Sequence, residues 1–496
     1  MTAVSRRAFL GVLGGAGLAA TGCGGRAEVS GELLAGRLPL PRPFTVPLPV
    51  PEVTRPVRPG RYEVTQRVAR VEIVPGTTTE VWGYDGAFPG PTFELRRGEP
   101  VTVAVRNELP VPTSTHLHGG VNPPDSDGYP TDLVVPAAYG SGHQGHDRHR
   151  HAETRHHLVK DYHYPLDQPA AMLWYHDHRM DHTAPQVWRG LAGMALVRDA
   201  EEDALPLPRG ERELPLMICD RSFDEDGSFR YPDLHAGGHF GSDYMEGVEG
   251  EVILVNGAPW PVAEVTATRH RLRLLNASNA RRYRLALTPG GRFTQIGSDA
   301  GLLAEPVAHD TIPIAPGERY DVVVDFSAYP VGSTVTLVNT LADGPARNIM
   351  RFVVARRAAD DSAVPRTLTS PERRPSAVTT RRFDFRRTDA AWTINGSSYR
   401  PGVPLARPRL GTSEIWRLTS DFHHPVHVHL AHFQVVARNG RSPLASDGGW
   451  KDTVDVRPYE VVDVLVRFAG HRGRYMLHCH NLEHEDMAMM ADFEVI

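Results

Sequence analysis

The run Gly86-Ala-Phe-Pro-Gly-Pro91, followed by Val101-Thr-Val-Ala-Val-Arg-Asn107, is a glycine-containing loop that leads into a β-rich stretch and ends at a polar turn. The same pattern returns from Asn256-Gly-Ala-Pro259 to Arg271-Leu-Arg-Leu-Leu-Asn276, and again from Asn395-Gly396 to Glu414-Ile-Trp-Arg-Leu-Thr419. Short β-branched runs between turn residues favour strands over helices, and Glu251-Val-Ile-Leu-Val255 and Val322-Val-Val324 are further examples. Three copies of a β-sandwich unit, each of roughly 100 residues or more, account for the length. The expected units span 56–203, 204–355 and 381–496, after a proline-rich lead-in over 24–55. The linker over 356–380 is polar, charged and proline-bearing, as an exposed connection should be.

The chain has 496 residues, 41% hydrophobic and 23% charged, with 46 glycines and 42 prolines, a composition that fits a soluble all-β protein. A net charge of −5 gives no electrostatic ground for nucleic-acid binding. No association signal stands out, and a monomer is expected. The first 23 residues read as targeting. Arg6-Arg7 precede a short apolar stretch that closes at Ala20-Thr-Gly-Cys23, the form of a twin-arginine export signal. Cys23 also resembles a lipoprotein processing site, which would make a lipid anchor the chain's one link to a membrane and place the protein outside the cytoplasm. Of the 3 cysteines, Cys219 lies in an apolar run and reads as a buried core thiol, so no structural disulfide is expected.

Cys479 has a different setting, within His478-Cys-His-Asn-Leu-Glu-His-Glu-Asp-Met-Ala-Met489. A cysteine thiolate, histidine nitrogens and a weak methionine form the ligand set of a blue electron-transfer copper. Four His-x-His units occur in the chain: His116/His118, His176/His178, His427/His429 and His478/His480. On a strand, residues two apart point to the same face about 6.5–7 Å apart, so one pair can reach two neighbouring metals. Eight imidazoles suffice for three metals, as two, three and three ligands. Cys479 points opposite to its two neighbours, so a copper on its sulfur would be joined through two peptides to the metals on the histidines. His424, His484 and Met489 are the expected further ligands of the sulfur-bound copper.

HLHGG at 116–120, WYHDH at 174–178, HPVHVH at 424–429 and HCHNLEHEDMAM at 478–489 resemble the four copper motifs of multicopper oxidases, in order. Asp125-Ser-Asp-Gly-Tyr-Pro130 adds a likeness to the three-domain bacterial laccases and bilirubin oxidases, with phenoxazinone synthase as a relative. The resemblance implies three cupredoxin-like Greek-key β-sandwiches and four copper ions. It implies a type 1 site of His424, Cys479, His484 and Met489, and a type 2 site of His116 and His427. His118, His176, His178, His429, His478 and His480 would be the type 3 ligands, between the first and third domains. It further implies an oxidoreductase with dioxygen as acceptor, taking electrons from phenols, aminophenols, aromatic amines or tetrapyrroles. Glu485 and Asp127 match acidic positions that assist proton delivery, or else hold ligand histidines.

An oxidase of cuprous, ferrous or manganous ions is the alternative activity, and a non-catalytic copper-binding cupredoxin protein is the alternative class. Retention of every ligand position argues against the latter. The segment His143–His157 holds six histidines and reads as a surface loop or a metal-binding tract. Met487 and Met490 read as neighbours of the type 1 site.

Overall fold

The computed structural model describes residues 30–137, 153–233, 243–372, 374–388 and 391–496. The expected export signal over residues 1–23 and residues 143–152 of the histidine-rich run lie outside these. Among the described residues no helix is long and apolar enough to cross a membrane.

The architecture is all-β, with two facing sheets in each of three regions. The first pairs the sheet built on Arg61–Val71 and Val101–Asn107 with the sheet built on Ala171–Asp177 and Ala192–Arg198. The second is built on Glu213–Phe223, Arg269–Asn276 and Arg319–Asp325 on one side, and on Tyr283–Thr288 and Asn348–Arg356 on the other. The third sets Thr380–Arg387, Ser413–Ser420 and Val461–Arg467 against Met490–Val495, Gly473–Cys479 and His424–Val428. The three repeated β-rich runs are structurally equivalent, because each lies parallel to the opening strand of its own sandwich. Val101–Asn107 pairs with Arg61–Val71, Arg269–Asn276 with Glu213–Phe223, and Ser413–Ser420 with Thr380–Arg387. A parallel neighbour in an otherwise antiparallel sheet needs a long crossover, the mark of a Greek key.

Alternation along these strands supplies the cores. In Ser413–Ser420, Trp416 and Leu418 are fully buried, and Trp416 packs edge-on against Phe493 and tilted against Phe383 and Phe468. Trp416→Ala is expected to cost about 3–5 kcal/mol, read as a lower thermal midpoint for the third sandwich with the first two unaffected. Cys219 is a free, buried thiol whose pKa burial raises to about 11, as expected of a core cysteine.

Two expectations need correction, and a third holds only in part. The lead-in over 24–55 is part of the fold from residue 30 onward, not a separate approach to it: Glu32–Leu34 pairs with Val248–Gly250, Pro47 bridges Val262, and Val53 bridges Thr92. Its extended backbone finds free strand edges on the first and second sandwiches and satisfies them. The linker over 356–380 is exposed over most of its length, as expected, but is docked at two points. Leu368 is buried among Leu207, Ile296 and Leu303, and Asp360 accepts from both Arg212 and Arg269. Finally, the end of the histidine-rich run is a strand, Thr154–His157, parallel to Asp132–Val135, with His156 Nε2 2.7 Å from Asp132 Oδ1.

Candidate metal centre

Two strand pairs deliver the histidines. Thr115–His118 runs antiparallel to Ala171–Asp177 with His116 opposite His176, and His424–Val428 runs antiparallel to Gly473–Cys479 with His427 opposite His478. Period-two alternation sends His116, His118, His176, His178, His427, His429, His478 and His480 inward to a single buried cluster between the first and third sandwiches. The cluster divides into His118, His176 and His480 as one triple and His178, His429 and His478 as a second, with His116 and His427 facing each other alongside. The groups overlap, since His118 also lies within reach of His116 and His427.

For most of the rings the hydrogen bonds fix which nitrogen is offered. His116 Nδ1 donates to the Asp127 carbonyl at 2.5 Å, and His427 Nδ1 to the Asp452 carbonyl at 2.9 Å. Their Nε2 atoms are therefore lone-pair acceptors, and they face each other at 3.4 Å. Likewise His429 Nδ1 donates to Asp127 Oδ2 and His478 Nδ1 to the Cys479 carbonyl, yet the two Nε2 atoms lie 3.1 Å apart. Lone pair against lone pair repels unless a cation lies between. In the remaining triple, His118 Nδ1, His176 Nε2 and both nitrogens of His480 are buried with no hydrogen-bond partner among the described residues. Burial lowers the pKa of His116, His118, His176 (to about 3), His178 (to about 4), His427, His429 and His480, so these rings stay neutral and ready to ligate. Uncharged imidazoles converging in a buried cluster suit borderline metals such as copper.

Cys479, on the opposite face of its strand, belongs to the apolar core of the third sandwich. Its Sγ lies 3.3 Å from His424 Nδ1 and 3.6 Å from His484 Nδ1, and the two nitrogens are 3.2 Å apart. Burial pushes the thiol pKa up, so this sulfur becomes a thiolate only against a bound cation. Asn481 donates its backbone N–H to Sγ at 3.4 Å, and its side chain caps the short helix Leu482–Asp486 that carries His484. Met489 is fully buried in the same core, and its carbonyl accepts from the Cys479 N–H at 3.1 Å. Met487 packs against this core too. Met490 does not: it stands opposite His478 and packs with Tyr399 and Met476, because the register places it on the histidine face of the sheet.

Both singled-out carboxylates touch the histidine cluster. Asp127 bonds His429 through Oδ2, while its buried Oδ1 has no hydrogen bond among the described residues and lies 3.8 Å from His116 Nδ1, and burial raises its pKa well above the usual range. Glu485 lies 3.5 Å from His178 Nδ1 and 3.2 Å from His478 Nδ1, and accepts from Thr183 Oγ1 at 2.7 Å. Burial raises its pKa, but His178 and His478 outweigh that, and the net direction is down.

Sequence reasoning missed several partners. Asp452 and Thr453 contact His118 and His427 from outside every motif, and Arg319 reaches Asp452 from the second sandwich. Trp392 stacks on His484 with ring centroids 3.9 Å apart and donates to the Met245 carbonyl at 3.1 Å. His484 is thus fully covered, and Trp392 is itself buried. No fixed spacing ties these residues to the histidine motifs, so one sequence carries no signal for them.

Comparison with known proteins agrees with this geometry. Family models described as multicopper oxidase match residues 66–141 and 139–202, 236–350 and 370–496. A laccase of Bacillus subtilis (strain 168) is 36% identical, over 91% of this chain and 98% of its own length. A bilirubin oxidase of Albifimbria verrucaria is also 36% identical, over 91% of this chain and 81% of its own. The crystal structure of a multi-copper oxidase from Pediococcus acidilactici superposes with a TM-score of 0.81 at 32% identity, covering 94% of this chain and 93% of that one.

Proposed function

Because this chain belongs to the multicopper oxidase family, and is therefore a copper-dependent oxidoreductase with oxygen as acceptor, we propose that it is a laccase-type oxidase of phenolic, aminophenolic, aromatic amine or tetrapyrrole donors. The family arrangement is four copper ions per chain. On this reading His424, Cys479, His484 and Met489 hold the type 1 copper and His116 with His427 the type 2 copper. The two triples, His118/His176/His480 and His178/His429/His478, hold the type 3 pair. When bound, copper takes single electrons at the sulfur site and delivers four to dioxygen at the histidine site, giving water.

The observation that carries this reading is the strand end at Cys479, whose sulfur faces one site while His478 and His480 face the other. Electrons leaving the sulfur cross two covalent peptide links, and the His478 Nδ1 to Cys479 carbonyl hydrogen bond of 3.0 Å adds a second contact between the same residues. The buried Trp392, tilted 30° against the His484 ring, makes the packing around His484 aromatic, which favours aromatic donors at that end of the site. Protons must arrive with the electrons. Glu485, held by Thr183 and bridging His178 and His478, can pass a proton toward the second triple, while Asp127 orients His116 and His429 and keeps one oxygen without a hydrogen bond.

The donor is decided by oxygen uptake on copper-loaded protein compared across phenols, bilirubin, and ferrous, cuprous and manganous ions. Faster uptake with the organic donors supports the laccase reading; uptake with the metal ions alone supports a metal oxidase; uptake with none overturns both. Export by the twin-arginine route, with lipid attachment at Cys23 and action outside the cytoplasm, belongs to the same proposal, as does a monomeric state. Replacing Arg6 and Arg7 together by lysine is expected to retain the protein inside the cell, read by fractionation.

A further inference from the structure

The second sandwich supplies none of the twelve proposed ligands, yet its loop Ala315–Arg319 reaches the histidine cluster. Gly317, at φ +83°, sits so close that an added Cβ would lie 3.0 Å from the His480 ring and 3.1 Å from the His118 ring. Two residues on, the buried Arg319 uses all five of its N–H donors. Nε bonds the Met172 carbonyl, Nη1 the Gly317 carbonyl and Asp452 Oδ1, and Nη2 the Asp299 carbonyl and Asp452 Oδ2. Met172 belongs to the first sandwich and Asp452 to the third, so one guanidinium ties together all three. Gly119 of the HLHGG motif is the notch for this pair: a Cβ there would come within 2.6 Å of Arg319 Nη2 and 2.9 Å of Asp452 Oδ2.

Asp452 turns this clamp on the ligands. Its Oδ1 accepts from His118 Nε2 at 3.0 Å, and its carbonyl accepts from His427 Nδ1 at 2.9 Å. Thr453 Oγ1 lies 3.0 Å from His118 Nε2 and 3.2 Å from His427 Nδ1. His118 is thereby held with Nε2 protonated and Nδ1 turned toward His176 and His480. His116, His176, His427, His429 and His478 do the reverse, since each commits Nδ1 to an oxygen. Behind Arg319, the buried Lys451 bonds Asp299 at 3.0 Å and Glu318 at 3.3 Å, while Asp299 accepts from the Arg319, Asp452 and Thr453 backbone N–H groups. The acidic groups are matched by cations on neighbouring elements, so the arrangement is a fixed frame.

We infer that Arg319 and Asp452 are positioning residues for the oxygen-reducing copper cluster, selecting Nδ1 of His118 as a type 3 ligand and fixing His427 at the type 2 site. The inference rests on the copper reading of the site. Asp452→Asn forces a conflict. With its amide NH2 toward His118 the ring must give up its Nε2 proton and protonate Nδ1, losing the ligand lone pair; with the amide reversed, NH2 faces Arg319 Nη2, donor against donor. Arg319→Lys keeps the charge but has three donors in place of a planar five. Thr453→Val removes only the hydroxyl.

The test is performed on copper-loaded full-length protein, with type 2 copper paramagnetic resonance, the visible blue band, and the chelator concentration that strips the histidine-site copper. Asp452→Asn and Arg319→Lys are expected to alter the type 2 signal and to weaken histidine-site copper about 10–100-fold, with the blue band retained. Thr453→Val is expected to act in the same direction more weakly, and decides the matter if the other two do not fold. Arg271→Lys, in the separate buried cluster with Glu202 and Asp321, is the control for general destabilisation and should leave the type 2 signal unchanged. An unchanged type 2 signal and chelator resistance in the folded Asp452, Arg319 and Thr453 variants, or an equal change in the Arg271 control, overturns the inference. A wild-type chain that holds no blue copper overturns the underlying reading, and the inference with it.

Discussion

Cys479→Ser is expected to abolish the blue absorption and to lower turnover by on the order of 10³-fold or more, at least about 4 kcal/mol in the activation barrier. A serine hydroxyl fills almost the same space, so the buried core of the third sandwich should persist. The loss is electronic. The blue colour needs a thiolate bound to copper, and an alkoxide is a hard ligand unsuited to the soft site. The route from His484 to the histidine cluster also loses its junction, because the sulfur, 3.6 Å from His484 Nδ1, begins the covalent path to His478 and His480. Copper content should fall by about one ion per chain while the histidine site stays loaded. Stopped-flow mixing of the fully reduced variant with dioxygen separates the two halves: the histidine site should still consume oxygen once, without steady-state turnover. A variant that keeps both its colour and its turnover would contradict the assignment.

Glu485→Gln is expected to leave the blue band and its reduction by donor intact while slowing reoxidation by dioxygen about 10²-fold. The amide can still accept from Thr183 Oγ1, and the helix Leu482–Asp486 keeps its Asn481 cap, so His484 should remain in place. What disappears is a group able to exchange a proton between His178 and His478, from which its oxygens lie 3.5 and 3.2 Å. Rapid reoxidation kinetics, followed separately from donor reduction, provide the check. A variant with unchanged reoxidation would reduce Glu485 to a holder of histidine rings.

Most of the metal centre was legible in the sequence because strand geometry is rigid. A His-x-His pair on a strand presents two rings on one face whatever the loops do, and a cysteine between two histidines must face the other way. The three repeated runs were legible for a similar reason, since each is the central strand lying parallel to the opening strand of its sandwich. What was not legible is set by packing between segments far apart in the chain. Asp452 sits 334 residues from His118, which it orients, and Arg319 belongs to a sandwich with no copper motif. Met490 was misplaced because its position depends on the register between Gly473–Cys479 and Met490–Val495, which the spacing from Cys479 does not reveal. The two docking points of the otherwise exposed linker were not legible, because Asp360 meets Arg212 and Arg269 and Leu368 enters a core built by distant segments.

The laccase relatives and the arrangement of the two sites make one quantitative demand, which concerns the fate of oxygen. The most direct measurement is the ratio of dioxygen consumed to donor oxidised, taken with a one-electron phenolic donor in an oxygen electrode, with catalase added partway to reveal peroxide. The expected result is about four donor molecules per dioxygen with no oxygen returned by catalase, as four-electron reduction to water requires. A ratio of about two, with oxygen released when catalase is added, would contradict it.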